Sequence, residues 1–197
     1  MKRALALFGT VALLSSSCAL VKGTAVRDDW ASTDAPRVKR LAIVVYPTPQ
    51  NLTAAGEAVA RIARRYVNQK RDFLAKREVT EPDAPALSVV CAGDDAIEGV
   101  LFLRPTFTPK GSGFEVEVHG ALARCSDGRE AWSGLAAGSF PSHDAGLKEV
   151  TQVYVQEFGA PVEPYIAPAL NILRPLLDTL PQPTLNETDV EEKLTLD

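Results

Sequence analysis

The sequence is poor in the residues on which most enzymes and metal sites depend. Its 197 residues include two histidines, three cysteines and one methionine. The histidines, His119 and His143, have no neighbouring cysteines at the spacing that a zinc site requires. The sequence also lacks a Gly-x-Ser-x-Gly segment that would present a nucleophilic serine. These absences predict a protein without metal or cofactor that is not an enzyme.

Basic residues are also too few and too scattered for a nucleic-acid-binding protein. Lysine and arginine number 21 against 25 acidic residues, so the net charge is −4. Binding to a phosphate backbone depends on clustered positive charge, and no long basic run occurs. Glu115 and Glu117 share one side of a predicted strand, near the separation of a glycosidase pair. Alternating glutamates on a solvent-exposed sheet face are far commoner than a catalytic carboxylate pair, so the pattern does not indicate a glycoside hydrolase.

Long hydrophobic runs are lacking apart from one near the N-terminus. Lys2 and Arg3 precede an apolar stretch over residues 4–14, and three serines then lead to Cys18. This order is typical of a secretory signal, and the stretch is too short to span a membrane. A cysteine at this place resembles the lipobox of bacterial lipoproteins, with Ser15 where that motif usually has leucine.

The lipobox resemblance implies a lipid anchor and a cellular location. Residues 1–17 would be the signal peptide, and Cys18 would be acylated and become the mature N-terminus. Its acyl chains would hold the protein in a lipid bilayer. Ala19 stands where an aspartate would retain a lipoprotein in the inner membrane, which points to the outer membrane and the periplasm. An ordinary signal peptide, with Cys18 incidental, is the alternative.

Two cysteines remain when Cys18 is set aside. Cys91 and Cys125 form an even pair, which in an oxidising compartment favours a disulfide. The bond would close a loop of about 35 residues and stabilise the fold by roughly 3–4 kcal/mol. Two buried free thiols are the alternative.

Periodicity and turn residues predict a single α/β domain over residues 37–180. The nearly continuous apolar run Val38–Tyr46, interrupted by Lys39 and Arg40, suits a strand buried on both faces. Helical spacing of apolar residues then predicts a long helix from about Asn51 to Lys76. Glycine turns separate the strands of an antiparallel meander, in which Gly120 marks a bulge or a close backbone approach. The strands predicted after the long helix are Ala86–Cys91, Ile97–Thr108, Phe114–Cys125 and Glu130–Phe140.

A second helix and a proline-rich segment follow the meander. The core-facing stripe of the second helix consists of Leu147, Val150, Tyr154 and Phe158. Residues 159–183 keep helical spacing of isoleucine and leucine between prolines, which predicts a kinked helix beginning near Pro164. The order β-α-β-β-β-β-α with a C-terminal Pro-kinked helix gives an α/β (α+β) two-layer sandwich with a mixed sheet.

Both ends of the chain lie outside this predicted domain. Residues 18–36 are small and polar, which suits a lipidated N-terminus and a tether between lipid and domain. Residues 181–197 are acidic and are predicted to be disordered.

Two sequence segments in the meander resemble segments of a known group of envelope lipoproteins. They run from Asp94 to Leu101 (DDAIEGVL) and from Cys125 to Trp132 (CSDGREAW). They are similar to the pattern Ala-Asp-x-Val-hydrophobic-x-Gly … Asp-x-x-x-Gly-x-x-x-Trp of lipoproteins with a TolB amino-terminal-like fold. That group includes the curli-secretion lipoprotein and the lipoprotein activators of penicillin-binding proteins. The resemblance covers roughly residues 38–158 and implies a non-enzymatic module that contacts envelope proteins. A myxobacterial envelope lipoprotein family is also similar and implies no activity.

The long predicted helix carries a basic face opposite its apolar stripe. This basic face consists of Arg61, Arg64, Arg65 and Arg71. On a lipid-anchored domain it would lie near anionic head groups. The alternative is a solvated helix face that balances an acidic protein.

Protein and small-ligand partners have candidate surfaces as well. The proline-kinked helix is either an apolar partner patch or part of the core. A small-ligand or glycan site, the alternative function, would need a pocket lined by Trp132 or Tyr154. The sequence therefore predicts the bilayer, through Cys18, and an envelope protein as partners.

Overall fold

A mixed six-stranded sheet forms the centre of the molecule. The computed structural model describes residues 20–46, 53–93 and 95–196. The strands are β1 (Val21–Val26), β2 (Arg40–Val45), β3 (Leu74–Thr80), β4 (Gly99–Lys110), β5 (Gly113–Arg124) and β6 (Glu130–Pro141). Their order across the sheet is β1-β6-β5-β4-β2-β3. β2 is parallel to β3 and β4, and the remaining neighbours are antiparallel. The predicted α/β class with a mixed sheet is confirmed.

Helices cover one face of this sheet and one corner of the opposite face. They are α1 (Thr53–Lys70), α2 (Leu87–Cys91), α3 (Lys148–Phe158), α4 (Glu163–Leu177) and α5 (Glu187–Lys193). α1 links β2 to β3, and a crossover of this kind makes the two strands parallel. α1 and α4 pack on the sheet. The predicted β2, α1, β4, β5, β6, α3 and α4 are present, whereas the predicted strand Ala86–Cys91 is the helix α2, and β1, β3 and α5 are additional elements.

The main hydrophobic core lies between the sheet and these two helices. Residues 41–45 of β2 are all fully buried, as predicted for a strand covered on both faces. Trp132 of β6 is 1% exposed and is the largest of the fully buried side chains. A Cβ at Gly120 would lie 2.8 Å from the Trp132 ring, so glycine there leaves room for the indole. The close approach predicted at Gly120 is therefore present, and the pairing of β4 with β5 runs through it without a bulge.

The predicted proline-kinked helix is α4. It begins at Glu163, carries Pro164 in its first turn and has Pro168 and Pro175 in its interior. Proline is tolerated in the first turn because the N–H that it lacks has no partner within the helix. Its apolar side chains Ile166, Leu170, Leu173 and Leu177 are at most 4% exposed. The segment is therefore part of the core, and its interpretation as a partner patch is wrong.

The region between α1 and β4 differs from the sequence prediction. The long helix ends at Lys70 instead of Lys76, because residues 74–80 form β3. β3 begins with two buried residues and continues with charged, half-buried ones, so it lacks a strand's hydrophobic pattern. The segment predicted as the strand Ala86–Cys91 is instead the short helix α2. A short apolar run is compatible with either element, and periodicity does not separate them.

The N-terminal segment predicted as a tether belongs to the sheet and core from residue 20 onward. β1 pairs with β6 as an edge strand. Trp30 is 6% exposed, and its indole N–H donates a hydrogen bond to the Gln182 carbonyl at 3.1 Å. Its ring also meets Phe73 edge to face, with centroids 6.2 Å apart. Burial of so large a side chain stabilises the order of this segment.

The acidic C-terminal segment predicted as disordered carries the docked helix α5. The helix begins with a capping box, in which Asn186 and Asp189 each accept the other's backbone N–H at 2.9 Å. Lys39 Nζ lies 2.5 Å from an Asp189 oxygen, and Arg40 Nη2 lies 2.6 Å from a Glu192 oxygen. Lys39 and Arg40 lie about 150 residues earlier in the chain than their acidic partners, so the local composition of residues 181–197 does not indicate this pairing.

The predicted Cys91–Cys125 disulfide is present. The two sulfur atoms are 2.01 Å apart and the Cα atoms 5.6 Å apart. The bond joins the end of α2 to the residue that follows β5. It holds α2 over one corner of the sheet, where Ala42, Val44 and Val100 form a second, smaller hydrophobic cluster.

Candidate functional site

The face of the sheet that points away from α1 and α4 is largely uncovered. α2 covers only its β2–β4 corner. Side chains of β4, β5 and β6 alternate between the core and this face, and the strand register aligns the outward ones in rows. The rows are Arg104–His119–Leu135, Thr106–Glu117–Ala137 and Thr108–Glu115–Ser139. We call the surface formed by these rows the open face.

Charged groups on the open face pair with one another. His119 Nε2 lies 2.8 Å from a Glu117 carboxylate oxygen, and Lys110 Nζ lies 3.4 Å from a Glu115 oxygen. All four side chains are at least 50% exposed. Each carboxylate thus has its own partner in solvent, which is the arrangement of a wet sheet face. The two glutamates do not form the enclosed carboxylate pair of a glycosidase.

A shallow depression of about 520 Å³ lies on the open face beside β1. Small residues line it, among them Gly23, Ala25 and Ser133, together with Tyr46 and His119. The volume falls in the range of small-ligand sites. Such sites bury most of their ligand, whereas this depression is broadly open to solvent. The arrangement can therefore support one flat side of a molecule and cannot enclose it.

The other histidine lies at a second depression, beside α3. His143 Nε2 is 3.6 Å from a Glu163 oxygen, and its side chain is 74% exposed. The adjacent Asp144 accepts a hydrogen bond from the Gly146 backbone N–H at 2.8 Å. Asp144 therefore acts as an N-cap of the short turn that follows, as the sequence indicates for a polar residue at a helix start. Nothing in these contacts orients His143 toward a serine nucleophile.

The two aromatic residues predicted to line a ligand pocket are buried. Trp132 is 1% exposed and Tyr154 is 5% exposed, so neither is accessible to a ligand. Tyr154 is the one buried residue of α3, whereas Val150 from the same predicted stripe is 38% exposed. The pocket predicted between the meander and the proline-rich helix is thus filled by the protein's own side chains.

The predicted basic face of α1 is occupied by acidic partners. Arg61 and Arg64 pair with Glu78 of β3, and Arg61 and Arg65 pair with Glu157 of α3. The fourth arginine of the face, Arg71, donates a hydrogen bond to the Leu180 carbonyl. These contacts join α1 to its neighbours, so the face does not present four free cations to a membrane. The solvated-face alternative is closer to the structure, although the arginines pair rather than stand free.

The remaining predicted anchor residue, Cys18, lies outside the described residues. Within residues 20–46, 53–93 and 95–196, no group of three or more histidine, cysteine or acidic side chains could hold a metal ion. Within the same ranges, no helix is both long enough and apolar enough to cross a membrane.

A buried ion pair near the disulfide was not predicted from the sequence. Arg124 Nη1 lies 2.7 Å from an oxygen of Asp34, whose side chain is 1% exposed. Arg124 also donates to Asp127 at 2.9 Å, and this hydrogen bond, assisted by the Arg129 backbone N–H, lowers the pKa of the Asp127 carboxyl. Asp34 lies in a segment whose composition resembles a linker. Only its buried contact with β5 reveals a structural role.

Comparisons with known proteins give weak likenesses. No protein family matches the sequence, and no curated protein matches it. The PelC dodecamer from Paraburkholderia phytofirmans has a TM-score of 0.41 and 19% identity, over 72% of this chain and 89% of that chain. Lipoprotein GNA1162 from Neisseria meningitidis has a TM-score of 0.40 and 14% identity, over 62% of this chain and 99% of that chain. TolB from Acinetobacter baumannii has a TM-score of 0.32 and 17% identity, over 64% of this chain and 30% of that chain.

Likenesses this weak assign neither a family nor a function. The similarity to a myxobacterial family stays a prediction.

Proposed function

We propose that this chain is an exported lipoprotein of the bacterial cell envelope, anchored through an acylated Cys18. The anchor places it in the outer membrane, facing the periplasm. Its domain acts as a non-enzymatic structural or protein-interaction module, and the open face is its docking surface for another envelope protein.

The observation that carries the proposal is the Cys91–Cys125 disulfide. Disulfides persist in oxidising compartments such as the periplasm and are rare in the cytosol. The signal-like residues 1–17 supply a route of export, and Cys18 directly follows them. The disulfide and the leader are independent features, and both favour a location outside the cytosol.

The extent of the open face supports a modest interface. Three strands of 12 residues and one of 6, with a rise of about 3.3 Å per residue and a spacing of about 4.8 Å, give a projected area of roughly 650 Å². A standard stable interface covers about 800 Å² on each partner. The open face therefore suits a transient partner, or one that also pairs with the exposed edge strand β1.

Site-specific crosslinking in cells tests the docking surface. We place a photo-crosslinking amino acid at Glu117 on the open face and, as the matched control, at Glu57 on the exposed side of α1. A discrete crosslinked species is expected at Glu117 and not at Glu57. The same crosslinked species should weaken in Cys18→Ser, which loses the anchor. Equal crosslinking at both glutamates, or none at Glu117, contradicts the docking surface.

A small-ligand or glycan-binding lipoprotein is the second candidate, and the depression beside β1 favours it. Ser133→Trp fills the depression, whereas Ser139→Trp adds the same side chain on the same strand and face outside it. Native mass spectrometry of protein extracted from envelopes should show a bound small molecule that Ser133→Trp alone removes. A protein without bound ligand in all three forms contradicts this second function.

A further inference from the structure

The connection between the proposed anchor and the sheet is very short. β1 begins at Val21, and the Ala137 backbone N–H donates to the Leu20 carbonyl at 2.9 Å. Whatever conformation the chain takes between Cys18 and Leu20, two residues span at most about 7 Å. An acylated Cys18 would thus hold the edge of the sheet directly at the membrane surface.

We infer that one particular end of the domain lies against the bilayer: the end formed by the β4–β5 turn and the end of β6. This inference rests on the proposed acylation of Cys18. It adds the orientation of the domain and the surface that contacts lipid head groups. We call this end, residues 109–114 and 140–142, the tip.

The direction of β1 selects this end. Leu20 lies beside Ala137, Val21 pairs with Ala136, and β1 then runs antiparallel to β6 toward Trp132. The chain therefore enters the sheet from the side on which β6 ends. From Ala137 to Pro141, β6 extends about 13 Å further in that direction. The tip thus reaches at least as far toward the membrane as Cys18 does.

The chemistry of the tip suits a head-group layer. Pro109, Lys110, Gly111, Ser112 and Pro141 are exposed there. Phe114 and Phe140, opposite each other in the β5–β6 register, are half-buried. Phe114 packs on the rings of Phe107 and Tyr165 and so supports the turn from the core side. The exposed Lys110 ammonium lies 3.4 Å from a Glu115 oxygen and can exchange this partner for a lipid phosphate.

The opposite end of the sheet is too distant to share this contact. Strands β4 and β5 run from the Lys110–Gly113 pair to the Gly99–Arg124 pair, a span of about 36 Å. The disulfide, α5 and the last turn of α1 lie toward that end. The orientation also separates the lipid contact from the arginines of α1, which the sequence had suggested as a membrane surface.

Depth-dependent fluorescence quenching tests the orientation on the full-length lipidated protein. Ser112→Cys places a fluorophore on the tip, and Gln69→Cys places it on an exposed position near the end of α1. Each protein is extracted from membranes, checked by intact mass for acylation of Cys18, labelled and reconstituted into phosphatidylethanolamine–phosphatidylglycerol vesicles containing head-group spin-labelled lipid. Quenching at position 112 should exceed quenching at position 69 several-fold. Inserting a 12-residue Gly/Ser spacer between Ala19 and Leu20 should abolish the difference, because its r.m.s. length is about 19 Å.

The outcomes separate the two proposals. Protein without acyl chains on Cys18 overturns the anchor and the orientation together. Acylated, vesicle-bound protein with equal quenching at positions 112 and 69 overturns the orientation alone. A difference that survives the spacer also overturns it, because the short connection would then not be what holds the tip at the bilayer.

Discussion

Replacing Asp189 by alanine tests whether buried charge holds α5 on the domain. The Asp189 side chain is 3% exposed and contacts Lys39 Nζ at 2.5 Å and Arg40 Nη2 at 2.9 Å. Burial acts to raise the pKa of the Asp189 carboxyl. Hydrogen bonds from the Asn186 backbone N–H and from Lys39 oppose burial, and the net effect is a pKa below the ordinary value. The folded protein therefore favours the charged form of Asp189.

The expected magnitude follows from what the substitution leaves behind. Removing one partner of a buried ion pair costs about 3–5 kcal/mol, because the other charge stays desolvated. α5 has only 7 residues and lies at the end of the domain. Release of α5 into water lets Lys39 regain its hydration, and the free energy needed for this release is lower than that needed to unfold the sheet. We therefore expect Asp189→Ala to release α5 locally, with a loss of about 100-fold in amide protection, the equivalent of about 3 kcal/mol.

Hydrogen–deuterium exchange measures this release residue by residue. Asp189→Ala should lose the protection of α5, while the amides of β2 and β5 keep theirs. Glu191→Ala removes a carboxylate from the same helix at an exposed position and serves as the matched control. Its effect should stay within about 0.5 kcal/mol. Equal protection of α5 in the two variants would refute the reasoning that the buried carboxylate holds the helix.

Three further predictions address the disulfide, the packing under the sheet and pH. Cys91→Ser combined with Cys125→Ser should lower the free energy of unfolding by about 4 kcal/mol in urea titrations, as expected for a loop of this length, and an unchanged midpoint would contradict the role of the bond. Gly120→Ala places a Cβ 2.8 Å from the Trp132 ring and should cost about 1–3 kcal/mol in the same titrations; a neutral effect would show that the ring has room to move. The carboxyl groups of Asp189 and Glu192 in α5 have pKa values lowered by their partners, so their contribution to the stability of the docked helix is complete above about pH 5 and is lost as pH falls below about 4. The protection factors of the α5 amides should therefore fall selectively in acid, and an equal fall across the domain would contradict this.

The sequence predicts the elements whose pattern is local. Residues 41–46 are apolar, and the strands around Gly111 and Gly128 are separated by glycine turns, so β2 and the meander follow from the residues themselves. α4 is predicted for the same reason, since its buried side chains keep helical spacing despite the prolines. The Cys91–Cys125 pairing follows from counting cysteines once Cys18 is assigned to lipid.

The missed elements depend on distant partners. β3 is rich in charge because Glu78 meets arginines of α1 and Lys76 meets Glu192 of α5. α5 resembles a disordered acidic tail until Asp189 is placed beside Lys39. β1 is a polar edge strand that buries little surface of its own. In each element the stabilising contact comes from a remote part of the chain, which local periodicity and composition do not reveal.

The position of the open face could be predicted only in part. The alternation around His119 indicates a wet strand face, as observed. The depression beside β1 could not be predicted, because it requires the pairing of β1 with β6, and the sequence predicts a tether at β1. The sequence predicts Trp132 in a pocket because an isolated aromatic residue does not indicate which face of its strand is buried.

Intact-mass spectrometry of the protein extracted from bacterial membranes tests the central proposal most directly. The proposal predicts a chain that begins at Cys18 and carries the added mass of a diacylglyceryl group and an N-linked acyl chain, with the two remaining cysteines oxidised. A chain that retains residues 1–17, or one that begins near residue 18 without any acyl mass, would contradict the anchor on which the proposed function and orientation depend.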